Sequence, residues 1–175
     1  PLPPVGARLD GVRIGVPVNA YFDIIDPEVD QSIRGAAKNA AVLGAEIVEV
    51  TLPDLEEMNA VTLVIQLAES TAANSNHMER RDLLGDDVWV LLNQGRLVPA
   101  YEYVNAQRLR RRIQHEFNRV FDQVDMLMLP STPNTAPRIG QTTVTINGVE
   151  RDTRLLTTRC ARSINLLGLP ALVIP

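Results

Sequence analysis

One lysine (Lys38), one cysteine (Cys160) and two histidines (His77 and His115) are all that the 175 residues contain of those types, and each shortage excludes something. A lone cysteine closes no internal disulfide and supplies no thiolate cluster, which fits a reducing, cytoplasmic compartment. His77 and His115 belong to no metal-ligand spacing such as His-Glu-x-x-His, so both read as surface or helix-edge residues, and no metal or organic cofactor is expected. The serines, Ser32, Ser70, Ser75, Ser131 and Ser163, are never adjacent and never sit in Gly-x-Ser-x-Gly. A serine hydroxyl is a weak nucleophile without a neighbouring base, and Lys38 lies off the apolar face of its predicted helix. No catalytic constellation can be assembled from spacing alone. The stretch 17–26 lacks the close glycines of a phosphate loop. No apolar run approaches the ~20 residues that span a bilayer, so no membrane association is expected.

What is present suits one globular core. Hydrophobic residues make up 45% of the chain, and the formal charge of −4 is mixed along it, which speaks against a nucleic-acid partner. Arg108-Leu109-Arg110-Arg111-Arg112 reads as a solvated, ion-paired helix face, with Arg112 four residues before Glu116. Cys160 falls mid-helix and reads as a small apolar side chain.

Val12, Ile14 and Val16 alternate as in a strand that Pro17 stops. Asp26, Pro27, Glu28 and Asp30 then form a helix start, Gly44 a helix end, and 45–52 a second strand. This βαβ unit predicts a parallel α/β sheet covered by helices. Helical spacing continues over 58–72, 87–93 and 99–122. A strand is predicted at 126–129 and a turn-rich stretch at 130–137. A hairpin around Asn147-Gly148, a helix over 153–167 and a buried strand at 171–174 follow. The Pro-Leu-Pro-Pro opening (connector, 1–10) and the apolar last residues lead us to expect an excised piece.

In this order the segments resemble the amidase-signature family. The resemblance rests on Leu9-Asp10-Gly11-Val12-Arg13-Ile14-Gly15-Val16-Pro17, on Gly44 to Pro53, and on Glu69, Tyr103, Ala106 and Arg110. It continues through Val124 to Pro133 with Ala136-Pro137, and is strongest in Asn165-Leu166-Leu167-Gly168-Leu169-Pro170-Ala171 to Pro175. It implies a mixed-sheet α/β/α sandwich, of which 1–175 is the carboxy-terminal portion of one domain. It also implies hydrolysis of a carboxylic amide C–N bond by a serine bridged through a second serine to a lysine, all three upstream of this segment. This portion would then supply no catalytic residue. It would supply one wall of a pocket for a small amide, with Ser131, Thr132, Pro133 and Asn165 as substrate-binding candidates, and it would partner the missing amino-terminal part or a second copy of itself as a homodimer. The amidase-like subunit of tRNA-dependent amidotransferases is an alternative. Those subunits carry a Gly-Thr-Tyr-Val-Leu-Ser-like stretch where this chain has Asn93 to Pro99. A stand-alone, non-catalytic α/β binding module is the alternative from another class.

Overall fold

Alternating apolar residues place Arg13–Pro17 (β1) at the centre of a three-stranded parallel sheet in a computed structural model that describes residues 8–174. Its neighbours are Glu46–Val50 (β2), paired from Arg13↔Glu46 to Pro17↔Val50, and Met126–Leu127 (β3), paired through Ile14↔Met126 and Gly15↔Leu127. Between β1 and β2 runs Pro27–Val42 (α1), started as the sequence indicates: the Asp26 carboxylate accepts from the Glu28 N–H at 2.9 Å, with Pro27 following. Gly44, at φ 106°, turns the chain back into β2.

Successive side chains of these strands enter opposite layers. Ile14, Ala40 and Ala45 gather on the α1 side with Ile47 and Met128, while Val48, Val50, Leu127 and Leu129 face a larger cluster on the other. That cluster is built by Leu55–Ala73 (α2), Ala100–Asn118 (α4) and Arg159–Leu167 (α6), with Met58, Ile113 and Phe117 entirely buried. α2 packs against α4, α6 and the short helix Asp86–Gly95 (α3). The result is the α/β/α layering expected.

Four boundaries differ from the periodicity. The strand expected over 126–129 keeps only Met126–Leu127, because its ladder to β1 ends at Gly15↔Leu127. The long helix stops at Asn118 and tightens into a 3₁₀ turn over Arg119–Asp122. The helix expected over 153–167 is two helices, Thr153–Thr157 (α5) and α6, jointed at Thr158, whose ψ of −2° leaves the helical range. Residues 171–174 form no strand. They make no backbone ladder among the described residues, and Leu172, Val173 and Ile174 are 87%, 70% and 71% exposed. An apolar run becomes a strand only where another strand offers it hydrogen bonds, and none of the described strands does. The hairpin is as expected: Thr143–Ile146 (β4) and Val149–Asp152 (β5) pair across Asn147 and Gly148, at φ 53° and 75°, the two positive angles of a type I′ turn. Most of the 1–10 connector lies outside the described residues. Leu9 donates to the Leu43 carbonyl at 2.8 Å and packs on the α1 layer.

Candidate functional site at the carboxyl edge of the sheet

Because all three strands are parallel, their carboxyl ends emerge together, and residues 18–26, 51–54 and 128–142 leave from one edge. The first of these loops is fixed from several sides. The Asn19 amide extends the β1–β2 pairing beyond the strands, donating to the Leu52 carbonyl at 2.9 Å and accepting from the Leu52 N–H at 3.0 Å. Ala20 follows at φ 61°, a left-handed conformation that a non-glycine residue adopts only where its surroundings impose it.

Arg159 at the start of α6 imposes it. Its guanidinium donates to the Ala20 carbonyl at 3.1 Å, to both carboxylate oxygens of Asp23 at 3.1 Å, and to Glu56 at 3.0 Å. The Arg159 side chain is only 7% exposed. Burial acts to lower its pKa, but Asp23 and then Glu56 more than offset this, and the net shift is upward. Beneath it the Tyr21 hydroxyl meets the Ser163 hydroxyl at 2.5 Å, and Ser163 donates on to the Cys160 carbonyl at 2.8 Å. Burial pushes both the Tyr21 phenol and the Cys160 thiol up to about 12. These groups are inert packing, since a thiol so placed forms no thiolate near neutral pH.

The loop after β3 is tied to the same structure. The Asp26 N–H donates to the Pro133 carbonyl at 2.7 Å. Asn134, only 3% exposed, anchors the turn: its Oδ1 accepts from Thr157 at 3.4 Å, its amide donates to the Thr135 carbonyl at 2.8 Å, and its carbonyl accepts from the Thr132 hydroxyl at 3.0 Å. Of the predicted substrate-wall residues, Pro133 is therefore fully buried and shapes the turn, while Thr132 is half-buried and engaged. Ser131 is exposed, with no hydrogen bond among the described residues. Asn165 is exposed on α6, and its carbonyl receives the Gly168 N–H at 3.2 Å. No hydrogen bond among the described residues joins the Ser131 turn to the Asn165 turn.

The second turn is braced from α4. Arg110 donates to the Leu166 carbonyl at 2.6 Å and Gln114 to the Leu167 carbonyl at 2.9 Å, satisfying the last acceptors of α6 before Gly168, at φ 71°, reverses the chain. Tyr103 and Glu69, quoted for the resemblance, meet at 2.9 Å and share Gln107. The Arg159 network is what sequence reading missed. One signal pointed to it: an arginine among Leu156, Cys160 and Ser163, on the side of the helix patterned for burial.

Among the described residues no serine is hydrogen-bonded to a lysine or histidine side chain, and Lys38 is exposed on α1. Nor do any three His, Cys, Asp or Glu side chains form a metal-holding group there. No helix among them is long and apolar enough to cross a membrane.

Fold and edge together define a layered α/β protein whose loops gather at the carboxyl ends of parallel strands, the place where this class binds ligands. Within that class the chain belongs to the amidase family, whose model, described as Amidase, matches residues 2–175. It is 36% identical over 173 residues to an amidase of Pseudomonas putida, covering 98% of this chain and 37% of that protein. It is 29% identical over 204 residues to a glutamyl-tRNA(Gln) amidotransferase subunit of Synechococcus, covering all of this chain and 41% of that protein. A solved amidase structure superposes with a TM-score of 0.83 at 23% identity, over 92% of this chain and 37% of that one. The chain thus spans well under half the length of the proteins it matches.

Proposed function

We propose that residues 1–175 act as the carboxy-terminal part of an amidase that hydrolyses a carboxylic amide to the acid and ammonia or an amine. One observation carries this: the chain matches an amidase along nearly its whole length while spanning 37% of it, and its described residues hold no activated nucleophile. The nucleophile and the groups that stabilise charge in the transition state would then belong to other parts of the polypeptide, its principal partner. This chain would contribute sheet core and one wall of the pocket for a small-molecule amide. Ser131 would be the wall residue whose hydroxyl makes no hydrogen bond among the described residues, Thr132 and Pro133 would hold it in place, and the exposed Asn165 amide is the second polar group offered. A reducing, cytoplasmic compartment suits the single buried Cys160.

A free-standing amidase is favoured over an amidotransferase component. The match to the Synechococcus protein extends over 204 residues, more than the 175 of this chain, so it must open gaps, whereas the match to the amidase runs over 173. The missing Gly-Thr-Tyr-Val-Leu-Ser-like stretch before α4 points the same way.

Ammonia release from simple carboxamides tests the proposal, comparing residues 1–175 with the longer polypeptide obtained by extending the reading frame upstream. Turnover is expected from the longer protein alone, reduced by Ser131→Ala without being abolished. Turnover by residues 1–175 that disappears with Ser131→Ala would overturn it.

A further inference from the structure

Asn147-Gly148 at the tip of the β4–β5 hairpin is a chemically reactive pair as well as a turn signal, and no other asparagine of the chain is followed by glycine. A side-chain carboxamide is open to attack by the backbone nitrogen of the next residue, and a side chain on that residue is what obstructs the approach. Gly148 has none, and a carbon added there would meet nothing within 4 Å, so neither the residue nor its surroundings hinder the attack. Both residues are exposed to the water that completes the reaction. They hold φ of 53° and 75°, so the peptide between them must rotate before attack. Among the described residues, no backbone hydrogen bond beyond the hairpin's own ladder pins either one.

The Asn147 carboxamide ties the hairpin to the carboxyl edge of the sheet. Its Nδ2 donates to the Asp23 carbonyl at 3.4 Å, a long bond that leaves the group free to turn. The Asp23 carboxylate is committed elsewhere, to Arg159. Ile146, 2% exposed, seats the end of β4, so the strand is anchored by burial while its tip reaches the 18–26 loop through one donor. A chemical change that removes that donor acts on the rim of the candidate pocket.

We propose that Asn147 is a site of spontaneous deamidation, and that its conversion releases the hairpin tip from the 18–26 loop. The Gly148 nitrogen bonds to the Asn147 side-chain carbonyl carbon and gives up its proton. The bond from that carbon to Nδ2 breaks and ammonia leaves, closing a five-membered succinimide. Water then opens the ring at either carbonyl, so one water is consumed for each ammonia released and nothing is oxidised or reduced. One opening gives aspartate; the other gives isoaspartate, whose main chain is longer by a methylene. Either product sets a carboxylate, which has no proton to donate, against the Asp23 carbonyl. The isoaspartyl product also breaks the two-residue turn that holds Ile146 opposite Val149. This chemistry is independent of the amidase reading.

The test incubates residues 1–175 at pH 8 and follows every asparagine by peptide mass spectrometry, with isoaspartate identified by an isoaspartyl methyltransferase. Asn147 is expected to convert about tenfold faster than any other asparagine, equivalent to about 1.4 kcal/mol of barrier. The rate should rise with pH, because hydroxide removes the proton of the attacking nitrogen. The converted chain carries one more negative charge and separates by anion exchange. Its amide hydrogens should exchange faster than the parent's in residues 18–26 and in the hairpin. Asn147→Asp, which adds the charge without lengthening the main chain, should reproduce the change in residues 18–26. Survival of Asn147 for as long as the other asparagines would overturn the site, since the turn would then hold its peptide too firmly to rotate. Unchanged exchange of residues 18–26 in the converted chain or in Asn147→Asp would overturn the release.

Discussion

Arg159 grips both carboxylate oxygens of Asp23 at 3.1 Å across 136 residues of sequence, joining the first loop of the carboxyl edge to the last helix. The same guanidinium holds the carbonyl of the left-handed Ala20, so one buried side chain fixes the shape of the 18–26 loop. Asp23 and Glu56 are 51% and 68% exposed and would rehydrate if Arg159 were lost, which moderates the cost. Arg159→Met should lower unfolding free energy by about 2 kcal/mol. Urea denaturation measures the loss, and amide exchange should quicken first in residues 18–26.

Gly95 closes α3 where it crosses α2. A methyl group there would fall on the Leu67 carbonyl and on Thr71 Oγ1, itself committed to the Leu92 carbonyl at 2.8 Å. Backbone cannot yield as a flexible side chain does, so Gly95→Ala should destabilise by roughly 3 kcal/mol. Gly35→Ala, where an added carbon meets nothing, is the control and should be neutral or slightly stabilising in the same melts.

Stability should fall at alkaline pH. Cys160 and Tyr21 titrate near 9 and 10 when free, and burial raises both to about 12 in the fold. Their protonated forms are thus favoured by folding. The stabilisation is complete below about pH 9 and is lost as pH climbs toward 12, because the unfolded chain releases its protons first. Denaturation between pH 8 and 11 should show the decline, and Cys160→Ala should delay its onset. In the native protein Cys160 should resist iodoacetamide at pH 8, reacting only after denaturant is added.

Leu172, Val173 and Ile174 present consecutive apolar side chains to solvent, and Met126 at the edge strand β3 is 48% exposed. Surface of this kind seeks a partner. Residues 1–175 should self-associate, with a sedimentation coefficient that rises with concentration, and Val173→Lys should suppress the rise. A chain that stays monomeric at all concentrations would instead favour an independent module.

Local signals carried much of the fold. Asp26-Pro27 and Gly44 bounded α1, and Asn147-Gly148 set the hairpin, because caps and turns are chosen by a few neighbouring residues. The failures are non-local. The 171–174 run has strand composition, but a ladder requires a second strand that its own sequence does not contain. The joint at Thr158 is invisible to a 3.6-residue period that passes straight through it. The turn-rich stretch at Ser131 is legible from its prolines, whereas the Arg159 network depends on Ala20 and Asp23 from the 18–26 loop and on Glu56 from the first turn of α2. The buried Asn134, inside the predicted turn, is the residue that anchors it, a role that composition alone does not assign.

The most direct test treats the longer polypeptide and residues 1–175 in parallel with a serine-directed fluorophosphonate, and locates the adduct by peptide mass spectrometry. The expected result is a single adduct in the longer polypeptide, on a serine upstream of residue 1, and none on residues 1–175 in either sample. An adduct on Ser131, Ser163 or any other serine within 1–175 would contradict the assignment of this chain as the non-nucleophilic part of an amidase.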